Sequence, residues 1–350
     1  SGDFAIDANL KVNFNENYTI KKDETTFNLV TKNLKFRFQH SKQYFFDNVN
    51  STINFNNYGK ISSEGEFRLN NKKNKFEAIR QNSKKPLNIK LTGVINFKDI
   101  FFDKESFLIK NDVKYSSQFS FKNFEQFDIN FIFDLKDTEL DLELFNFKKK
   151  RGDESKLNFK FSKIKNFSKF NNISFTSKNN KINIKYLLFD KKFNIKDIGK
   201  SHINLGQKNN FQILKNKNNF IIKGSVVDLS KYLSKKKKNK SQDLKFNLNS
   251  NLKIDFKKIY LPGDFLENYE NFMQIENGKI VKLNSSANFE NFTSFSHKVL
   301  KSNKGNKLMI ISSDKAKPFL SNYEFLEGLK GGTLYVQREY LSDNLSVTEV

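Results

Sequence analysis

Apolar and polar residues alternate with a period of two along much of this chain. Leu87, Ile89, Leu91, Gly93, Ile95 and Phe97 fall on one face of an extended segment. Asn88, Lys90, Thr92, Asn96 and Lys98 fall on the other, with Val94 as the break in the pattern. The same alternation returns at Phe127, Ile129, Phe131, Phe133 and Leu135, and then at Leu140, Leu142 and Leu144. Further runs are Leu157, Phe159 and Phe161; Ile182, Ile184 and Tyr186; Leu244, Phe246 and Leu248; and Leu252, Ile254 and Phe256. Each predicts a half-buried strand with one face for an interior and one for water. The runs stand only a few residues apart, too close for parallel crossovers, so antiparallel neighbours in a meander are expected.

Turns in such a chain must come from residues that tolerate the left-handed backbone region. With 14 Gly and 3 Pro in 350 residues, asparagine takes that role. The pairs Asn56-Asn57, Asn70-Asn71, Asn171-Asn172, Asn179-Asn180, Asn209-Asn210 and Asn218-Asn219 are read as turns, and Asn277-Gly278 as a hairpin.

Helical spacing is rare. One helix is predicted over 314–327, with Asp314 as its N-cap, Ala316, Phe319, Leu320 and Tyr323 on one face, and Gly328 as its stop. Gly331-Gly332 then turns into a strand from Leu334 to Val336. A shorter helix starts at Asp228, carries Leu229, Tyr232 and Leu233, and runs into the basic stretch Lys235 to Lys240. The organisation predicted is a repeating antiparallel segment over 1–230, a basic loop over 231–243 and a second β segment over 244–350. The fold class is all-β, mostly antiparallel: an elongated groove or curled sheet with one or two short helices. A closed sandwich buries one face of each strand equally well, and alternation leaves both architectures open.

Composition narrows the chemistry. The absence of Cys excludes disulfides, cysteine-ligated zinc, iron–sulfur clusters and thiol catalysis. His40, His202 and His297 stand far apart, outside any metal-ligand spacing, and there is no nucleophile elbow, P-loop or dinucleotide fingerprint. The expectation is a non-enzyme with no catalytic residue, metal or cofactor. Lys+Arg number 62 and Asp+Glu 38, a net charge of +24. AT-rich codon usage accounts for an excess of Lys, Asn, Phe and Ile as readily as a selected basic surface does. Alternation also places Phe and Lys on opposite strand faces, whereas a nucleic-acid platform needs both on one, so no nucleic-acid partner is expected. No apolar stretch approaches the roughly 18–20 residues of a spanning helix. The segment from Ser1 to Leu10 has no signal-like pattern, so the chain reads as a mature or internal fragment with any anchor outside it.

Two motifs carry a resemblance. Ser312-Ser313-Asp314-Lys315-Ala316, then Phe319-Leu320, then Leu329-Lys330-Gly331-Gly332-Thr333-Leu334 resembles the closing motif of bacterial AsmA-like proteins, in particular the YhdP-type branch. Gly224, followed by Asp228-Leu229-Ser230 and Leu233, is similar to a recurring element of that family. The likeness covers roughly residues 205–340. It departs at Lys317, where the family often has a small residue after Ala, and in lacking the family's N-terminal membrane helix.

The resemblance implies an elongated β-groove protein of the Gram-negative envelope, anchored in the inner membrane and facing the periplasm, that conducts phospholipid between the inner and outer membranes. Its partners would be phospholipid acyl chains. The alternation nominates Phe131, Phe133, Phe159, Phe161, Ile182, Ile184, Phe246, Leu248, Ile254 and Phe256 as the lipid-facing side chains. A structural or adhesive envelope β protein, including an outer-membrane barrel, is the competing expectation.

Overall fold

The computed structural model describes residues 5–21, 26–37, 45–56, 58–96, 108–123, 125–191, 195–234, 249–277, 279–290, 293–301, 306–320 and 331–340. Strand makes up 74 % of the structure and helix 4 %, so the chain is all-β, as alternation predicts. It forms two compact units, one of Ser1–Leu140 with Lys149–Lys178, the other of Asp141–Lys148 with Asn179–Val350.

The first unit begins with β1 (Ala5–Lys11), β2 (Thr26–Arg37), β3 (Phe45–Asn56), β4 (Ile61–Leu69), β5 (Lys72–Arg80) and β6 (Leu87–Asn96). A short β7 (Leu108–Lys110), β8 (Asp112–Asn123) and β9 (Gln126–Asp134) follow. The chain then passes through β10 (Glu139–Leu142), a single 3-10 turn at Glu143–Phe145 and β11 (Phe147–Lys149), an excursion of which Asp141–Lys148 belong to the second unit, and the first unit resumes with β12 (Ser155–Ile164) and β13 (Phe167–Ser177). The strand expected from Leu140 to Leu144 therefore stops at Leu142, where the chain tightens into the 3-10 turn.

Ten of these strands pair in the order β1-β2-β3-β4-β5-β6-β8-β9-β12-β13, every neighbour antiparallel. The hairpin at Asn70-Asn71 uses both asparagines at positive φ (48° and 66°), the geometry a two-residue turn requires. Asn171-Asn172 is not a turn: Asn172, at φ 51°, sits inside β13 where the β12–β13 register shifts. There its left-handed backbone absorbs an irregularity in the pairing.

One charged side chain ties together the two first-unit ends of this excursion. Lys149 is 3 % exposed, and its Nζ donates to the backbone oxygens of Leu135, Lys136 (3.1 Å) and Thr138 (2.6 Å). The Leu135 oxygen also accepts from the Thr138 N–H (3.1 Å) and hydroxyl (2.8 Å), and the Lys136 oxygen from the Gly152 N–H (2.8 Å), so it is the Thr138 oxygen that depends on the ammonium. Burial lowers the Lys149 pKa, and the nearby Asp153, Asp137 and Asp134 oppose that shift.

The second unit holds β14 (Asn180–Phe189), β15 (Ile195–Ile198), β16 (Ser201–Leu205), β17 (Asn209–Asn216), β18 (Asn219–Asp228) and α1 (Ser230–Ser234). After these come β19 (Ser250–Leu261), β20 (Asp264–Glu276), β21 (Lys279–Asn288), β22 (Ser294–Lys301), β23 (Lys307–Ser313), α2 (Lys317–Leu320) and β24 (Leu334–Tyr340). β15 and β16 pair in turn along β14, and the rest follow in order to β24. The exception to antiparallel pairing is β18 with β19, which run parallel from Asn219↔Asn251 to Asp228↔Tyr260. A parallel pair needs a long crossover, and the chain between these strands contains the basic run. Lys235 to Lys240, Leu244, Phe246 and Leu248 lie outside the described residues, as do positions 321–327 of the helix expected over 314–327.

Both motifs that carried the resemblance have local structural roles. A Cβ on Gly224 would stand 2.3 Å from the Asn210 backbone oxygen and 2.5 Å from Phe211 Cβ, because the β17–β18 register shifts there. Asp228 is 2 % exposed. It accepts from the Ser230 backbone N–H (3.0 Å) at the start of α1 and from Asn146 Nδ2 (3.1 Å). The other motif departs from expectation at Asp314, which does not cap α2. Its carboxylate accepts instead from the Ser294 backbone N–H (2.6 Å) and hydroxyl (3.1 Å). The Gly-Gly turn is tied back by Ala316 N–H donating to the Gly332 oxygen (2.8 Å).

Candidate functional site

Register aligns the apolar residues of the first unit across strands as well as along them. Tyr115 faces Phe133, Ser117 faces Phe131, and Phe119 faces Ile129. Phe131 faces Phe159, Ile129 faces Phe161, and Phe161 faces Phe170. The rings touch: Phe131–Phe159 centroids are 5.2 Å apart, Phe131–Phe133 5.4 Å, Phe159–Phe170 5.6 Å and Phe161–Phe170 5.1 Å. Such pairs add about 0.5–1.5 kcal/mol each beyond burial.

Four of the nominated residues, Phe131, Phe133, Phe159 and Phe161, thus form one aromatic patch. Phe133 is only 1 % exposed and belongs to the packing, while Phe131, Phe159 and Phe161 are half-buried and present ring surface. Beside Phe133, burial pushes the Tyr115 phenol up to about 12. Toward β2 the same face turns small and polar: Thr31 and Ser51 hydroxyls hydrogen-bond at 2.8 Å. Gly65 lies opposite Ser51 and leaves room for the Phe76 ring, whose Cε1 a Cβ there would meet at 2.8 Å. Phe119, Phe127 and Phe170 extend the patch, although the sequence reading did not nominate them. The first two were legible in the alternation, whereas Phe170 stands next to the register shift that disguises its face.

In the second unit Ile182 faces Ile203 and Ile184 faces Ser201, while Ile254 lies beside Ile222 and Phe256 beside Gly224. Phe256 is 4 % exposed, and its ring meets that of Phe211 at 5.8 Å. Further along, the same face closes into a core of Met273, Ile275, Ile280, Leu283, Val299 and Met309. The remaining nominees, Phe246 and Leu248, lie outside the described residues.

A polar inlay interrupts this second face at Tyr269, Asn271, Ser285 and His297. Asn271 faces Ser285, and Ser285 faces His297. Asn271 Nδ2 donates to the Tyr269 hydroxyl (3.2 Å), and Ser285 Oγ donates to the His297 backbone oxygen (3.1 Å). Asn271 Oδ1 and His297 Nε2 are buried without a hydrogen-bond partner. Burial pushes the His297 pKa below its ordinary 6.5, which favours the neutral ring in the folded state. In the window between that lowered value and about 6.5 the unfolded chain binds more protons, so stability should rise with pH through the window and fall as pH drops. Denaturation midpoints from pH 5 to 7.5 test this; if His297→Gln keeps the full slope, another group is responsible.

The opposite face of the first unit carries the charges. A cleft of about 640 Å³ is bordered there by Glu64, Glu66, Lys75, Glu77, Lys90 and Thr92 among others. A second of about 350 Å³ shares Glu77 and Lys90 and reaches Asp128 and Lys160. Lys90 and Glu77 are 3.8 Å apart and Lys160 and Asp128 2.9 Å. Burial alone would raise the Asp128 pKa, but hydrogen bonds from Lys160 and Ser162 bring it below the ordinary range. The sequence assigns this face to solvent; that it is also indented appears only in the structure. Among the described residues no group of three or more His, Asp or Glu is placed to hold a metal ion, and no helix is long and apolar enough to cross a membrane. No protein family, curated protein or solved structure matches this chain.

Proposed function

We propose that this chain is a non-enzymatic lipid conduit, a periplasmic segment that moves phospholipid between the inner and outer membranes of a Gram-negative envelope and is anchored through sequence outside it. The observation that carries the reading is the half-buried aromatic face of the first unit, where Phe131, Phe159, Phe161 and Phe170 stand edge to edge. Phe131, Phe159, Phe161 and Phe170 each keep part of their ring surface open to solvent, which supports a lining. An acyl chain laying about eight methylenes on it would gain about 6 kcal/mol, at about 0.8 kcal/mol per buried methylene. Such retention needs no polar site and no catalyst. The open meander is less suited to a barrel, which requires first and last strands to pair. Mass spectrometry of lipids extracted from the purified chain is the direct test: co-purifying phospholipid, or uptake of a labelled phospholipid by stripped protein, is expected, and a protein that does neither is not a conduit.

A further inference from the structure

The ten paired strands of the first unit run alternately up and down, so their turns fall at two ends. One end gathers the β1–β2 connection, the turns between β3 and β4 and between β5 and β6, and the β8–β9 and β12–β13 hairpins. At this rim Phe14 (56 % exposed), Tyr18 (90 %), Ile20 (51 %), Tyr58, Ile164 and Phe167 stand in solvent. Phe55 and Ile79 lie one strand position further in, so among the described residues of this unit only Ile132 is a large exposed apolar side chain far from the rim. At the other end the described turn residues Asn70, Asn71, Asn111 and Lys178 are all polar.

This rim is also rich in basic side chains. Residues 11–21, 56–60, 79–87, 121–127 and 163–168 hold nine Lys or Arg side chains against Glu16 and Glu125. The tip that projects Phe14, Tyr18 and Ile20 is also braced. Tyr18 holds a left-handed backbone (φ 58°), which a tyrosine rarely adopts. Tyr18 N–H donates to the Asn15 oxygen (3.0 Å), Thr19 N–H to Asn15 Oδ1 (2.9 Å), and Lys21 N–H to the Asn13 oxygen (2.8 Å). A strained residue that remains almost fully exposed gains nothing from packing in the free protein, and such conformations concentrate where a surface is engaged.

We infer that this rim docks on an anionic lipid bilayer, its aromatic and aliphatic side chains entering the interfacial layer while the surrounding lysines meet lipid phosphates. Tyrosine and phenylalanine suit the boundary between headgroups and hydrocarbon. Basic side chains near an anionic leaflet add attraction that salt screens. A protein partner would account for the apolar residues but not for so one-sided a ring of cations. The inference stands independently of the conduit reading, although a rim seated on a membrane is where a lipid-lined face would load.

The chain has no Trp, so Tyr18→Trp gives it a single indole at the tip. With vesicles of one part phosphatidylglycerol to two parts phosphatidylcholine, the expected results are co-sedimentation of the protein and a blue shift of the indole emission. Salt and vesicles of phosphatidylcholine alone should weaken both. The combined variant Phe14→Ser, Tyr18→Ser and Ile20→Ser, checked for unchanged circular dichroism, should bind at least about tenfold more weakly. Phe167→Ser, at another turn of the rim, should also reduce binding. Absence of co-sedimentation overturns the inference, as does binding with unshifted emission or undiminished binding by the triple variant. A protein that binds vesicles yet neither contains nor takes up phospholipid would sink the conduit reading and leave this one standing; lipid-loaded protein that ignores vesicles would do the reverse.

Discussion

Lys149→Met should destabilise the first unit by about 1–3 kcal/mol. The substitution keeps most of the side-chain volume but removes the donors that serve the backbone oxygens of Leu135, Lys136 and Thr138. Leu135 and Thr138 are fully buried, so water cannot readily replace the ammonium. A buried acceptor left without a donor costs about 1–3 kcal/mol, and hydrogen bonds from a charged donor sit at the upper end of the range. The Leu135 oxygen keeps the Thr138 N–H and hydroxyl and the Lys136 oxygen keeps the Gly152 N–H, so the penalty falls on the Thr138 oxygen, and relief of the lysine's own desolvation offsets part of it. Urea denaturation read by circular dichroism measures the effect. A variant within about 0.5 kcal/mol of the parent would mean that this lysine can be dispensed with as a clamp.

Phe133→Ala is the second large effect, at about 3–5 kcal/mol. Phe133 is 1 % exposed and packs between Phe131, Phe159 and Tyr115 at centroid distances of 5.4, 5.9 and 6.3 Å. The strands that bear those rings are fixed by their ladders and can close around the vacated volume only in part. Its neighbour provides the contrast. Phe159→Ser removes a half-buried ring, so its stability cost should be smaller, while labelled phospholipid uptake should drop severalfold because the lining loses its central contact. Side-by-side measurement of unfolding midpoint and uptake separates the two roles. Equal loss of stability in both variants, with uptake unchanged in Phe159→Ser, would show that the patch is an ordinary core.

Much of the architecture was legible because a strand's two faces differ in solvation. The runs at Leu87–Ile95 and Phe127–Phe133 fall inside β6 and β9, and both short helices begin near their expected places. The departures have identifiable causes. Asn171-Asn172 looks like any other asparagine turn, but the left-handed conformation it permits is used to absorb a register shift within a strand. Asp314 looks like a helix cap, yet the neighbouring strand brings the Ser294 N–H and hydroxyl within reach of its carboxylate. Alternation also could not separate Phe133 and Phe256, which protein atoms cover, from Phe159 and Ile254, which remain partly open.

The sequence by itself determined that the chain is all-β, which face of the clearest strands is apolar, and that no cysteine chemistry is available, since these follow from local periodicity and from residue types. Tertiary structure alone decided that β18 and β19 run parallel, that Phe131, Phe159, Phe161 and Phe170 meet as one patch, and that, among the described residues, the exposed apolar side chains of the first unit other than Ile132 gather at one end of its sheet. The physical reason is pairing register. A strand's own pattern fixes the direction in which each side chain projects, but only the hydrogen-bond ladder fixes which distant residue lies opposite and which turns share an end.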